Sequence, residues 1–114
     1  MVNNMGYDII SAKSKKDIEH DNELSHIVCQ YAYQLVFKIA FGRDILEWNG
    51  RLTKKNKSEL IHGIDKLILM LNDDLGVPVY PGNISNCSQM KLKKDFEELK
   101  DLVAAGKIGY IKIT

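Results

Sequence analysis

Cysteine is scarce in this chain, and glycine is not concentrated anywhere in it. The two cysteines, Cys29 and Cys87, are too few for a disulfide-rich secreted scaffold. Cys29 falls in the most apolar stretch, which predicts a buried thiol that packs as a small hydrophobic group. The eight glycines are scattered, so the glycine-rich loops that bind ATP, GTP or dinucleotides are missing. We interpret both cysteines as reduced and predict a cytoplasmic location.

A dominant charge and a long hydrophobic run are also missing. The 16 basic and 15 acidic residues give a net charge of +1, so no overall field draws the chain toward nucleic acid or anionic lipid. The longest apolar stretch, residues 27–41, contains Gln30, Gln34 and Lys38 and is shorter than the roughly 20 residues of a membrane span. The N-terminus lacks the pattern of a secretory signal. We therefore expect no membrane association.

The composition is that of an ordinary globular protein. The chain has 114 residues, of which 45% are hydrophobic and 27% are charged. A chain of this length forms one domain and buries enough surface for a single core without a metal or a disulfide. We therefore expect residues 1–114 to fold as one compact domain and expect no cofactor.

The hydrophobic pattern predicts an α+β fold. Two strands lie at the termini, at residues 6–13 and 108–113, and the alternation of the second puts Gly109, Ile111 and Ile113 on one face. Three main helices are predicted over residues 23–41, about 57–75 and 89–105, and they should pack on the small sheet that includes both terminal strands. Gly42 is predicted to end the first helix. Asn56 with Glu59, as a capping box, begins the second helix, and Gly76 and Pro78 end it. Ser88 caps the third helix, and Gly106 ends it.

Two connections are less regular. Asn49-Gly50 within residues 44–53 is typical of a hairpin turn, but a helical extension that breaks at this dipeptide fits the flanking residues almost as well. Residues 77–90 form a long connection with a Pro-Gly turn at positions 81 and 82. Long connections of this kind often carry function.

The first group of candidate site residues surrounds these two turns. Trp48 and Tyr80 stand beside turn residues, where an exposed aromatic ring can anchor a protein partner; alternatively, both rings fold back onto the core. Asn49 and Arg51 would belong to the same surface. Asp73 and Asp74 form an acidic pair at a predicted helix C-terminus, where negative charge is unfavourable against the helix dipole. A basic partner would compensate for this charge.

Lysine clusters form the second group. One of them, at a predicted helix N-terminus, comprises Lys54, Lys55 and Lys57, and two others span residues 13–16 and 91–94. If the fold gathered such clusters on one face, they would bind anions, and nucleic acid would be the natural ligand. The chain has only two arginines and no aromatic residue between the lysines, so a solubilising role is the alternative that we favour.

The third group could bind a metal. His20, Glu23 and His26 lie close in sequence, and Glu23 and His26 have the i, i+3 spacing that places both on one face of a helix. A metal-dependent activity on a small molecule would be centred there. The alternative is a solvated, acidic helix N-terminus that carries an exposed histidine.

No catalytic motif stands out in the sequence, and an enzyme is the less favoured expectation. A small domain without such motifs more often binds another macromolecule. We therefore predict a small non-enzymatic protein-binding module: an inhibitor, an immunity-type protein, a phage or plasmid accessory protein, or an oligomeric adaptor. Homo-oligomerisation is a further expectation, because the first predicted helix has more apolar surface than two other helices cover.

Overall fold

A computed structural model describes residues 6–72 and 86–114 of the chain. The architecture is α+β: three main helices and one short helix pack with a four-stranded antiparallel sheet that contains the N- and C-terminal strands. The elements in chain order are β1 Gly6–Ala12, α1 Lys15–Glu19, β2 Ser25–Gln30, α2 Gln34–Phe41, β3 Gly50–Arg51, α3 Lys54–Asn72, α4 Asn86–Ala104 and β4 Tyr110–Ile113. Short 3-10 helices span Tyr31–Tyr33 and Ile45–Trp48. No helix in the described ranges has the length and apolarity to cross a membrane.

The terminal strands pair at the centre of the sheet, in the order β2-β1-β4-β3. Ile9 lies opposite Ile113 on one side and opposite Ile27 on the other. All three side chains are buried on the face that the helices cover. The alternation predicted for the last strand is confirmed, because Ile111 and Ile113 are both buried and Lys112 between them is exposed.

The core lies between this inner face of the sheet and the long helices. Phe37 of α2 and Phe96 of α4 are fully buried, with ring centroids 5.8 Å apart. The apolar stripe predicted for α3 is confirmed, and its buried members are Leu60, Ile64, Leu67 and Leu71. Each main helix therefore buries one apolar face against the sheet or against its neighbouring helix.

The helix predicted over residues 23–41 is wrong in its first half. Residues 25–30 form β2, with Ile27 and Cys29 buried and His26, Val28 and Gln30 exposed in strict alternation. The stretch is apolar enough to fit either period, and pairing with β1 selects the strand. Only Gln34–Phe41 is α-helical, and Gly42 ends it in the left-handed conformation (φ 72°), as predicted.

Residues 44–53 do not form a hairpin. Asp44 caps the 3-10 helix Ile45–Trp48 by accepting a hydrogen bond from the Leu46 amide, and the helical segment stops before Asn49, as the second alternative required. It does not continue α2, because Gly42 has already ended that helix. The two-residue strand β3 follows and pairs with β4, which lies far from it in sequence.

The predicted helix caps need correction at two places. Thr53 caps α3, because its hydroxyl accepts a hydrogen bond from the Asn56 amide; Asn56 lies inside the helix. Glu59 therefore completes no capping box, and its carboxylate binds Arg43 at 2.6 Å. Helix α4 already begins at Asn86, before Ser88. The predicted stop of α3 at Gly76 and Pro78 lies outside the described residues.

Candidate functional site

Trp48 is not an exposed anchor. Its side chain is 4% exposed, and its ring packs edge-on against Phe41 at a centroid distance of 6.0 Å. The Arg43 guanidinium lies 4.6 Å from the ring centroid. The 3-10 helix turns the ring inward, so the alternative that Trp48 folds back onto the core is confirmed and its partner-binding role is wrong.

Asn49 is engaged within the fold. Its side-chain amide donates to the carbonyls of Leu46 and Ile113, and its side-chain oxygen accepts a 2.6 Å bond from the Ile113 amide. These bonds connect the 3-10 helix to β4, so the residue holds two elements together. Arg51 is exposed on β3. Three other predicted partner-binding residues, Tyr80, Asp73 and Asp74, lie outside the described residues.

The structure does not bring the predicted metal ligands together. His20 directly follows α1, Glu23 is exposed in the connection to β2, and His26 lies on β2, so the helical i, i+3 spacing assumed for the last two does not exist. His26 is instead paired with Asp8 at 3.0 Å. Within residues 6–72 and 86–114, no group of three or more His, Cys, Asp or Glu side chains could hold a metal ion.

Cys29 has the core role predicted for it. It is a free cysteine, 6% exposed, on the inner face of β2. Burial raises the pKa of its thiol from 9.0 to about 12, so the reactive thiolate is suppressed at neutral pH. The side chain of Cys87 lies outside the described part of the structure.

The outer edge of β2 is open in the described structure. β1 pairs with one side of β2, and the sheet order places no described strand on the other side. The backbone amide and carbonyl of Asp8 both bond to Thr114, on the β4 side of β1. Backbone groups alternate in direction along an antiparallel strand, so the amide and carbonyl of Ile9 point toward β2. Ile9 and Ile27 lie opposite each other there. It follows that the backbone groups of His26, Val28 and Gln30 point away from the sheet.

Exposed apolar side chains accompany this edge. Leu24 is 50% exposed just before β2, Val28 is 65% exposed at its middle, and Tyr31 is 45% exposed just after it. Leu35 and Ile39 continue the row along α2, at helical spacing from Tyr31. The sequence-based expectation of surplus apolar surface in this segment is therefore confirmed, although only Leu35 and Ile39 of these five residues lie on an α-helix. We call Leu24, β2 and Tyr31 together the β2 edge surface.

The two edges of the sheet differ in how they are protected. The opposite edge strand, β3, has only two residues, one of which is charged. Short edge strands with a charged side chain resist pairing with other chains. β2 has six residues and contains no Lys, Arg, Asp, Glu or Pro. Among the strands of residues 6–72 and 86–114, only β2 therefore has an edge available for pairing along several residues.

A basic cleft lies near the β3 edge. Its volume is about 380 Å³, and its lining residues are Lys13, Ser14, Lys15, Arg51, Leu52, Gly109 and Tyr110. Three cationic residues, two from residues 13–15 and one from β3, thus line one cavity, and no carboxylate lines it. Among the described residues, none of the three cations forms an ion pair. We call these seven residues the basic cleft.

Gly109 allows the chain segments that line the basic cleft to approach one another closely. Its amide donates to the Ala12 carbonyl at 2.9 Å, and its carbonyl accepts from the Leu52 amide at 3.0 Å. A Cβ atom at position 109 would overlap the Lys13 carbonyl, so only glycine allows this approach. The ends of three chain segments therefore meet around one residue.

The predicted anion-binding lysines flank the cleft in sequence and do not line it. Lys54 and Lys55 are exposed and Lys57 is half-buried, all in the first turn of α3, just after Leu52 and the cap Thr53. Arg51 and the lysine cluster at residues 13–16 lie far apart in the sequence. Their convergence depends on the pairing of β3 with β4, which the sequence did not indicate.

No family model, curated protein or solved structure matches this chain. The function is therefore inferred from the geometry of the two surfaces described above.

Proposed function

We propose that this chain is a protein-binding module of the adaptor type, and that the partner on the β2 edge surface is a second copy of the chain. The observation that supports this most directly is the open, uncharged edge of β2. Two copies would join through antiparallel pairing of β2 with β2, which would extend the four-stranded sheet across a two-fold axis. Two-fold dimers of this kind use the same patch on both subunits.

The backbone of β2 suits such a pairing. Val28 points its amide and carbonyl outward, so a two-fold axis at Val28 lets the two copies of this residue exchange both hydrogen bonds. The same register sets His26 opposite Gln30 of the second copy, and both of these residues also point outward. Every outward backbone group of the strand then finds a partner, as the cost of leaving such groups unpaired in an interface requires.

The side chains are self-complementary in the same register. Val28 meets Val28 of the second copy on the outer face, which removes two exposed apolar groups from water. Tyr31 falls opposite Ser25 of the second copy and therefore beside its exposed Leu24, and the contact occurs twice by symmetry. The strand contains no Lys, Arg, Asp or Glu, so the proposed register sets no two of these charged side chains opposite each other.

The decisive measurement is the solution mass of variants at position 28. Val28→Lys would set two like charges opposite each other at the two-fold axis, while the 65% exposed side chain leaves the fold of one copy unchanged. By sedimentation equilibrium we expect the unaltered chain to approach about 26 kDa, twice its 13.0 kDa, and Val28→Lys to remain at the monomer mass.

Leu69→Lys is the matched control, because it introduces the same charge at a 61% exposed apolar position on α3. It should dimerise like the unaltered chain. A monomeric unaltered chain at concentrations of about 300 µM, or equal loss of dimer in both variants, would refute the proposed β2 interface.

The register has its own test. Residues opposite each other in a hydrogen-bonded antiparallel pair have Cα atoms about 5.5 Å apart, within the range that a disulfide spans. In a Cys87→Ser background, Val28→Cys should therefore form an intermolecular disulfide under mild oxidation, and Leu69→Cys should not. Cross-linking at both positions alike would show random collision in place of the proposed register.

The proposal also covers the setting of the protein. We propose a cytoplasmic location, supported by the free, buried thiol of Cys29. A non-enzymatic accessory role, in a phage, plasmid or bacterial context, is compatible with an adaptor that joins identical subunits.

A further inference from the structure

We propose that the basic cleft binds a nucleotide unit, meaning a phosphate group joined to a planar base, either as a free nucleotide or within a single strand. This site is separate from the β2 edge surface, because Arg51 belongs to β3, at the opposite edge of the sheet. A dimer formed through β2 leaves the cleft accessible.

The cations of the cleft supply the phosphate-binding part. Lys13 lies in the connection after β1, Lys15 begins α1 and Arg51 lies on β3, so two distant stretches of the chain contribute cationic residues to one cavity. All three are exposed and have no carboxylate partner among the described residues, so a ligand displaces no existing ion pair. An arginine can hold two phosphate oxygens at once, and the lysines add charge.

The remaining lining suits a planar ring. Tyr110, half-buried at the start of β4, contributes an aromatic side chain, and Leu52 and Gly109 add apolar surface. Bases stack on aromatic side chains with little dependence on their identity. The volume of about 380 Å³ lies within the range of small-molecule sites, so one nucleotide fits and a duplex does not.

Ser14 has a structural role beside the cleft. Its hydroxyl donates to the Asp17 carboxylate at 2.9 Å and accepts from the Asp17 amide, which caps α1. Asp17 does not line the cleft, and its carboxylate is occupied by Ser14. Phosphate recognition is therefore assigned to the three cations and not to Ser14.

The test compares two triple variants of equal charge. The cleft variant is Lys13→Gln, Lys15→Gln and Arg51→Gln; the control is Lys38→Gln, Lys66→Gln and Lys94→Gln, three exposed lysines outside the cleft. Both lower the net charge from +1 by three. Any loss found only in the cleft variant therefore reports on the site and not on the overall field.

The probes are a fluorescein-labelled single-stranded RNA of about twelve nucleotides, read by anisotropy, and ATP, read by calorimetry. At about 50 mM salt we expect micromolar binding of at least one probe, weakened at least tenfold in the cleft variant and less than twofold in the control. Binding of both probes assigns the cleft to free nucleotides. Binding of the RNA alone, falling steeply with added salt, assigns it to a strand.

Tyr110 provides the second readout. Tyr110→Phe keeps the ring and should bind as the unaltered chain does, whereas Tyr110→Leu should weaken binding roughly tenfold because the base loses its stacking partner. Circular dichroism confirms that both variants are folded. Absence of binding for both probes, equal losses in the two triple variants, or full binding by Tyr110→Leu would overturn the proposal.

Discussion

At the scale of residues, the burial of single polar and titratable groups lowers the stability of the fold. Within the described structure, the Ser11 hydroxyl, the Tyr33 hydroxyl and the Trp48 indole nitrogen are buried without a hydrogen-bond partner. Such groups lose their hydration on folding and gain nothing in return. Burial likewise raises the pKa of Tyr33 and of Cys29, because the charged form of each is poorly solvated inside the core.

The raised pKa of Cys29 predicts sensitivity to alkali. The unfolded thiol loses its proton above its ordinary pKa of 9.0, whereas the folded thiol keeps it until about 12. The contribution of this thiol to the free energy of unfolding is therefore fully present below about pH 9. It is lost as the pH rises toward 12, and the loss reaches about 4 kcal/mol. Urea unfolding between about pH 8 and pH 11 measures the slope.

Cys29→Ala should flatten that slope, although it lowers stability at neutral pH by removing buried volume. The buried Tyr33 titrates in the same direction and leaves a residual slope in the variant. A slope unchanged by Cys29→Ala would mean that the thiol does not carry the effect.

At the scale of elements, the close approach of α2 to α3 depends on the absence of a side chain. A Cβ atom at Gly63 would overlap the Phe41 ring, which packs in turn against Trp48 and Phe96. The partly buried ring has little freedom to withdraw on its inner side, because it packs there against Phe37, Trp48 and Phe96. Gly63 therefore sets the distance between the two helices.

Gly63→Ala should destabilise the protein by about 1–2 kcal/mol, because the overlap with Phe41 exceeds the roughly 1 kcal/mol gained from the better helix former. Chemical denaturation measures the change. Ser58→Ala, at an exposed position of the same helix, is the control and should change stability by less than about 0.5 kcal/mol. In a Phe41→Ala background the Gly63→Ala substitution should become neutral or stabilising; an unchanged cost there would contradict the proposed contact.

At the scale of the whole molecule, the sheet formed by the described residues has one protected edge and one open edge, and the two proposed sites lie at these opposite edges. β3 is short and contributes Arg51 to the basic cleft, whereas β2 is long and uncharged. Substitutions should therefore abolish dimerisation and nucleotide binding independently of each other. The triple cleft variant should retain the dimer mass, and Val28→Lys should retain nucleotide binding.

Dimerisation through β2 also predicts a concentration-dependent melting temperature. Partner binding stabilises the folded state by mass action, so a tenfold rise in protein concentration should raise Tm by about 3 °C. Calorimetry of the unaltered chain and of Val28→Lys from about 10 to 300 µM checks this, and only the unaltered chain should respond. A Tm independent of concentration in both would contradict self-association.

The sequence by itself determined the features that depend on local pattern. The terminal strands, the buried stripe of α3 and the ends of the helices at Gly42 and Gly106 follow from periodicity and from backbone conformations that favour glycine. Cys29 was placed correctly in the core because its neighbours are apolar on both sides.

Only the tertiary structure decided the features that depend on pairing between distant segments. Residues 25–30 fit a helix and a strand equally well, and β1 selected the strand by supplying hydrogen-bond partners. Trp48 was directed inward by a 3-10 helix that packs against β4, which lies at the other end of the chain. The basic cleft required β1, β3 and β4 to meet at Gly109. Local sequence patterns carry no information on these long-range contacts, because each contact depends on which surfaces the rest of the chain buries.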